Sequence, residues 1–158
     1  MSQLKNKYTS NSIVLQKLKY FCAYQERCHY EVQQKMYDLK IAKQDHGEFL
    51  AILIQEDYVN EQRYAELFVR SKFNQKSWGK ILIKQKLKTK KISEYCIKKG
   101  LAQIDEDEYI KVLEKIILKK IKTLDKKWTY KNVQKLLTFC YNKGYEKSLT
   151  LTVIDRLK

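Results

Sequence analysis

Lysines recur at helical spacing through the middle of this 158-residue chain, and a row of ammonium groups along one helix is chemistry for holding anions. From Arg70 to Lys99 the cations are Arg70, Lys72, Lys76, Lys80, Lys84, Lys86, Lys88, Lys90, Lys91, Lys98 and Lys99, and Glu94 is the only acid. On one continuous helix Lys76, Lys80 and Lys84, at i, i+4 and i+8, share a face, which Lys84, Lys88 and Lys91 extend. Like charges at this spacing destabilise an isolated helix and call for an offset, such as phosphates or an acidic groove. A solvated face in a lysine-rich chain is the plainer alternative. A second basic stretch runs from Lys111 to Lys135, where Lys119, Lys120, Lys122, Lys126 and Lys127 flank Trp128 and Tyr130. Aromatic rings among lysines can stack on bases. They can equally anchor a helix junction, and Trp78, just before Gly79, carries the same two readings.

Catalytic and metal chemistry finds little support. Cys22, Cys28, His29 and His46 lack the paired spacing of a zinc site, so Cys22 reads as a buried apolar residue and His29 as a surface one. There is no G-x4-G-K-[ST] phosphate loop and no nucleophile elbow, and two histidines offer little general-base material. Consecutive acids at Asp105, Glu106, Asp107 and Glu108 point around a helix and suit its N-terminus. No catalytic residue, cofactor or metal is expected.

The elements that must position the lysines are helical. The chain has no proline and only 4 glycines, which favours long uninterrupted helices over turn-rich sheets. It is 44% hydrophobic and 32% charged, enough apolar material for one folded domain or a few small ones sharing a core. The net charge is +15, from 33 Lys and Arg against 18 Asp and Glu, which suggests a polyanionic partner, although lysine-rich composition alone raises such a total. No apolar run reaches membrane-span length and the start lacks a signal peptide's apolar core, so the expectation is a cytoplasmic protein with reduced cysteines.

Apolar residues recur at i, i+3, i+4 and i+7 in nine segments. The stripes are Leu15, Leu18, Cys22 and Gln25; Val32, Met36 and Leu39; Phe49, Ile52 and Leu53 after a polar turn at Gln44–Gly47; Tyr64, Leu67, Phe68 and Ser71; Ile83 and Leu87; Ile97, Leu101 and Ile104; Ile110, Leu113, Ile117, Ile121 and Leu124; Val133, Leu136, Leu137 and Cys140; and Leu149, Val153, Ile154 and Leu157. Ser93 and Thr129 are placed to cap helices, and Gly144 to follow one. A repeat emerges when the middle segment of each group of three is aligned. Val32-x3-Met36-x4-Ile41, Ile83-x3-Leu87-x4-Ile92 and Leu136-x3-Cys140-x4-Tyr145 match at offsets of 51 and 53 residues. The predicted fold is all-α: three tandem three-helix repeats forming an elongated, curved array, with a tail over 1–12 and repeats over 13–56, 57–105 and 106–158.

The stretch Asp57-Tyr58-Val59-Asn60-Glu61-Gln62-Arg63-Tyr64-Ala65-Glu66-Leu67-Phe68-Val69-Arg70-Ser71-Lys72, followed by Trp78-Gly79-Lys80-Ile81 and Leu87-Lys88-x2-Lys91-Ile92, resembles the RecX family of regulators of the RecA recombinase. That family carries a φ-D-D-E-R-F-A-x-x-F-V-R-S-R helix and then a G-x-x-x-I-x-x-E-L-x-x-K-G-I helix. Here Asn60 replaces an acid, Tyr64 a Phe, Lys72 an Arg and Lys91 a Gly, while Gln85 or Lys86 stands near the usual Glu. Arg27-x3-Glu31-Val32-x2-Lys35-Met36 is similar to the family's first-repeat R-x-x-S-E-x-E-L-x-x-K-L. The resemblance runs from about Leu15 to Leu157 and is most specific in the middle repeat.

The resemblance implies three tandem three-helix repeats and a regulator without catalytic residues, one that binds the RecA–DNA filament along its groove and damps filament extension, strand exchange and ATP hydrolysis. It directs the basic surface toward such a filament, with Arg70, Lys72, Lys76, Lys80, Lys84, Lys88, Lys91, Lys119, Lys120, Lys126 and Lys127 as candidate contacts for RecA or DNA. The expected acting species is a monomer. The alternative is a stand-alone helical-repeat nucleic-acid-binding protein using the same basic face. Nothing converges on a third reading, an enzyme that alters nucleic acid.

Overall fold

Each third of the chain meets the same local event, a helix that ends in a left-handed residue followed by a pinned apolar side chain. Lys40, Lys91 and Gly144 have φ of 58°, 57° and 97°, and Ile41, Ile92 and Tyr145 follow them. At the first and third of these ends the amide of the apolar residue donates across the turn, from Ile41 to the Met36 carbonyl at 3.0 Å and from Tyr145 to the Cys140 carbonyl at 3.0 Å. Lys40 N–H donates to the Tyr37 carbonyl and Gly144 N–H to the Tyr141 carbonyl, each at 2.9 Å. These are Schellman caps, in which the residue after the left-handed position packs on the last helical turn. The x4 spacing of the repeat is the signature of that pair.

The computed structural model describes the backbone from Ser2 to Lys158 and the side chains from Ser10 onward. Among the described residues there are nine α-helices and no strand: α1 Ser2–Tyr24, α2 His29–Asp38, α3 Lys43–Gln55, α4 Glu61–Lys76, α5 Lys80–Thr89, α6 Glu94–Leu101, α7 Glu106–Lys122, α8 Tyr130–Asn142 and α9 Lys147–Leu157. The helix starts are chemically marked. Ser93 Oγ accepts from Cys96 N–H, Thr129 Oγ1 from Asn132 N–H, and Asp105 Oδ2 from Glu108 N–H. Asn60 Oδ1 accepts from Arg63 N–H at 2.9 Å. Asparagine caps a helix as well as aspartate does, so an asparagine rather than an acid at position 60 costs this turn little.

Two compact units make up the chain. One runs through Tyr64 and includes Lys90–Ile92; its core is Leu18 and Cys22 from α1, Val32 and Met36 from α2, Phe49 and Leu53 from α3, and Val59. The other comprises Ala65–Thr89 and Ser93–Lys158. In it Leu113 and Ile117 of α7, Leu136 and Cys140 of α8, and Val153 and Ile154 of α9 are fully buried.

Several details depart from the sequence reading. The polar turn at Gln44–Gly47 is instead the first turn of α3. A lone glycine in a helix costs about 1 kcal/mol relative to alanine, too little to break it. Gln25 and Ile104 lie beyond the ends of α1 and α6, and Leu124 beyond α7. On α4 the inward face is Tyr64, Ala65, Val69 and Phe73, while Leu67 is 43% exposed. The reason is a close crossing. A Cβ added at Gly100 would lie 3.2 Å from the Ala65 carbonyl oxygen and 3.1 Å from Val69 Cγ2. Small residues therefore face inward where a large one was expected.

The left-handed Lys40 gives a stability prediction. Its Cβ strains that conformation by about 1–2 kcal/mol, partly offset by the greater unfolded-state freedom of glycine. Lys40→Gly should raise the urea midpoint, by about 0.5–1 kcal/mol of stability; a lower midpoint would contradict the assignment.

Candidate functional site

On α5, Ile83 and Leu87 are fully buried. One position along from each, Lys84 and Lys88 project outward and share one carboxylate, with Nζ 3.9 Å and 3.2 Å from Glu94. All three side chains are about half exposed or more, so the pairs add little to stability. They do offset the repulsion of two lysines one turn apart. A polyanion could displace Glu94 at small cost.

The expected face joining Lys76, Lys80 and Lys84 does not exist. Helix α4 ends at Lys76, and Ser77, Trp78 and Gly79 turn the chain before α5 begins at Lys80, with Ser77 itself left-handed at φ 55°. Lys80 is committed to the fold. Its ammonium pairs with Glu106 and lies 4.7 Å from the centre of the Tyr109 ring. Its backbone N–H donates to Tyr109 Oη at 3.0 Å, and that hydroxyl donates to Glu146 Oε2 at 2.8 Å. Tyr109 also stacks on Tyr145 at 5.0 Å, whose hydroxyl donates to the Ser77 carbonyl at 2.8 Å. Nothing in the lysine spacing reveals this tyrosine hub; its sequence signal is Tyr109 itself, one residue before the longest stripe begins at Ile110.

Arg70 is exposed on α4. Lys72 and Lys76 place their ammonium groups 5.3 Å and 5.5 Å from the Trp78 ring. Trp78 is thus half-buried and already faced by cations. Lys91, in the first unit, is exposed, 5.5 Å from the Tyr30 ring.

In the second basic stretch, Lys119 and Lys120 stand in the last turn of α7, where cations complement the helix dipole. With Lys115 and Lys143 they border a groove of about 610 Å³ floored by Phe73, Val112, Ile116 and Phe139. Lys120 Nζ lies 4.7 Å from the Phe139 ring. Lys115 is legible as the i−4 partner of Lys119; Lys143 caps the C-terminal end of α8 and only folding brings it near. Lys126 and Lys127 are exposed in the α7–α8 loop. Trp128 is half-buried there, whereas Tyr130 is 81% exposed and open to a partner.

Arg63 belongs to the fold. Its Nε donates to Glu26 Oε1 at 2.6 Å and its Nη1 lies 3.0 Å from Asp57 Oδ2. Cys22, Cys28 and Cys140 are buried, and desolvation pushes each thiol up to about 11. Burial likewise raises the Tyr64, Tyr109 and Tyr145 hydroxyls above their ordinary 10.0. Unfolding releases these protons at lower pH, near 9.0 for the thiols. Their contribution to stability is therefore complete below pH 9 and lost as pH rises through about 11. The urea midpoint should decline as pH rises from about 9 to about 11; a constant midpoint would contradict the burial. His46 is buried with Nε2 3.0 Å from the Ile41 carbonyl oxygen, a local tie.

Residues 60–101, spanning α4 to α6, match the family described as RecX, second three-helix domain. A regulatory protein RecX of Lactococcus lactis subsp. lactis is 30% identical over 142 residues, covering 88% of this chain and 53% of that protein. The protein of the same name from Streptococcus uberis is 36% identical over 106 residues, 66% of this chain and 40% of its own. That of Oceanobacillus iheyensis is 28% identical over 138 residues, covering 87% and 51%. The chain spans about half the length of these curated relatives. Among solved structures, RecX from Lactobacillus salivarius superposes with a TM-score of 0.85 at 23% identity, covering 92% of this chain and 95% of that one. A second, a crystal structure of regulatory protein RecX, gives 0.87 at 20% identity, covering 98% and 77%. At these identities the structures establish the helical-repeat fold. Among the described residues no helix is long and apolar enough to cross a membrane.

Proposed function

The chain belongs to the RecX family, and from that premise we propose that it binds the RecA–DNA filament and inhibits RecA, slowing filament extension, strand exchange and ATP hydrolysis. The match of α4 to α6 to the family's second three-helix domain carries this reading. The extended similarity to curated regulatory proteins supports it. We read the chain as three repeats, over 13–56, 57–105 and 106–158, each built around a middle helix closed by a left-handed residue.

The contact surface in this proposal is the set of outward cations. Arg70, Lys72, Lys76, Lys84 and Lys88 come from the middle repeat, Lys91 from the turn after α5, and Lys119, Lys120, Lys126 and Lys127 from the third. Lys80 holds the start of α5 rather than a partner, because its ammonium and amide are both engaged. The chain acts as a monomer in the cytoplasm and performs no bond chemistry of its own. What it contributes is charge and shape: cations against phosphates and acidic side chains, whose binding releases counterions and weakens with salt.

Adding the purified protein to the same organism's RecA on single-stranded DNA should slow ATP turnover in a concentration-dependent way. An unchanged rate at stoichiometric excess would overturn the proposal.

A further inference from the structure

In the first unit, α1 turns an aromatic face outward that the fold does not use. Tyr20 is 74% exposed and Tyr24 73% exposed, among the most open large side chains of the described residues. They stand one turn apart and border a groove of about 670 Å³ between α1 and α2, whose wall includes Phe21, Lys17, Arg27 and Lys35. Among the described residues no carboxylate lines it. Two of its cations lie over one ring: the Arg27 guanidinium is 3.9 Å from the centre of the Phe21 ring and Lys35 Nζ 5.4 Å from it. Arg27 is fixed there, its Nε donating to the Phe21 carbonyl at 3.3 Å and its Nη1 lying 3.9 Å from Glu31 Oε2.

We propose that this groove is a binding site for single-stranded nucleic acid, with unstacked bases lying on Tyr20 and Tyr24 and the phosphates running past Lys17, Arg27 and Lys35. Three observations favour that occupant. Aromatic faces beside cations, with no carboxylate among the described lining residues, are the composition of a stacking platform beside an electrostatic track. The two rings are separated by four residues, about 6 Å along the helix. A duplex holds its bases about 3.4 Å apart with their faces covered, so only an extended single strand can present one base to each ring. Finally, an exposed tyrosine offers a base a flat face at little entropic cost.

This inference deepens the nucleic-acid part of the proposed function, and its probe is a bare strand so that the two can fail separately. The measurement is fluorescence anisotropy of a labelled oligo-dT strand against the full chain, as a function of salt. Tyr20→Ala with Tyr24→Ala should weaken binding at least tenfold while leaving the salt slope unchanged, because stacking is non-ionic. Lys17→Gln with Lys35→Gln should instead flatten the slope by about one to two. A strand carrying 5-iododeoxyuridine should crosslink to Tyr20 or Tyr24 on irradiation. Oligo-dT affinity unchanged in the tyrosine variant, or absent in the wild type, would overturn the site, as would equal loss on a duplex of the same length. Loss of RecA capture without DNA, at unchanged oligo-dT affinity, would assign the groove to protein docking and also overturn it. Wild-type binding to oligo-dT with no capture of RecA would retain the groove and remove the filament reading. Both tyrosines are exposed, so circular dichroism of the variant should match the wild type.

Discussion

Replacing Gly79 or Gly144 by alanine should unfold the second unit or destabilise it by more than about 3 kcal/mol, near the top of the range for single substitutions. The two glycines meet where the turn before α5 crosses the turn after α8. Gly79 N–H donates to the Lys143 carbonyl at 2.7 Å and Ile81 N–H to the Gly144 carbonyl at 2.9 Å. A Cβ on Gly79 would overlap the Gly144 carbonyl and lie 2.6 Å from Tyr145 N. Those atoms are backbone, so no rotamer change relieves the overlap. A Cβ on Gly144 would overlap Leu82 Cβ and lie 2.6 Å from Leu82 N, and alanine would also have to adopt φ near 97°. Separating the strands of chain would break two hydrogen bonds worth about 1 kcal/mol each. It would also disturb the tyrosines beside them, since Tyr145 is fully buried and stacked on Tyr109. Gly47→Ala is the matched control. It lies in α3 with nothing within 4 Å of an added Cβ, and should be neutral or stabilising by up to about 1 kcal/mol. Urea denaturation of the three variants checks the prediction; Gly79→Ala within 1 kcal/mol of wild type, a margin set by ordinary surface substitutions, would contradict it.

The second large effect concerns binding. Lys84→Glu with Lys88→Glu reverses two outward cations on α5 while leaving Ile83 and Leu87, which hold the helix down, untouched. The lost Glu94 pairs are exposed, and the fold should lose no more than about 1 kcal/mol. Filament affinity should fall by about a hundredfold at low salt, with the salt slope reduced by about two if both lysines meet phosphates. Wild-type affinity in this variant would remove α5 from the contact surface. Lys80 makes a poor member of such a set: reversing it would break the tie to Glu106 and Tyr109, so lost binding could reflect lost structure.

Much of this was legible in the sequence because it depends on local spacing. Helical periodicity marked nine segments, and the x3, x4 repeat reported a cap whose pinned apolar residue must lie five positions after its partner. Thr129, Ser93 and Gly144 act locally and stand at the expected helix ends. What spacing could not carry was interruption and crossing. Lys76, Lys80 and Lys84 obey i+4 arithmetic, yet a three-residue turn separates the first from the others. Leu67 is larger than Ala65, yet the approach of Gly100 selects the smaller residue for the inside. The grooves along α7 and between α1 and α2 gather residues from more than one element, so spacing alone brings neither Lys143 to Lys119 nor Lys35 to Tyr20 and Tyr24.

We propose that this chain binds the recombinase filament. The most direct measurement is capture of the same organism's RecA by the immobilised full chain, with and without single-stranded DNA and ATP. Capture should be strong when both DNA and ATP are present, fall as salt is raised and weaken in the variant Lys84→Glu with Lys88→Glu. Failure to capture RecA under any of these conditions, with the chain shown to be folded, would contradict it.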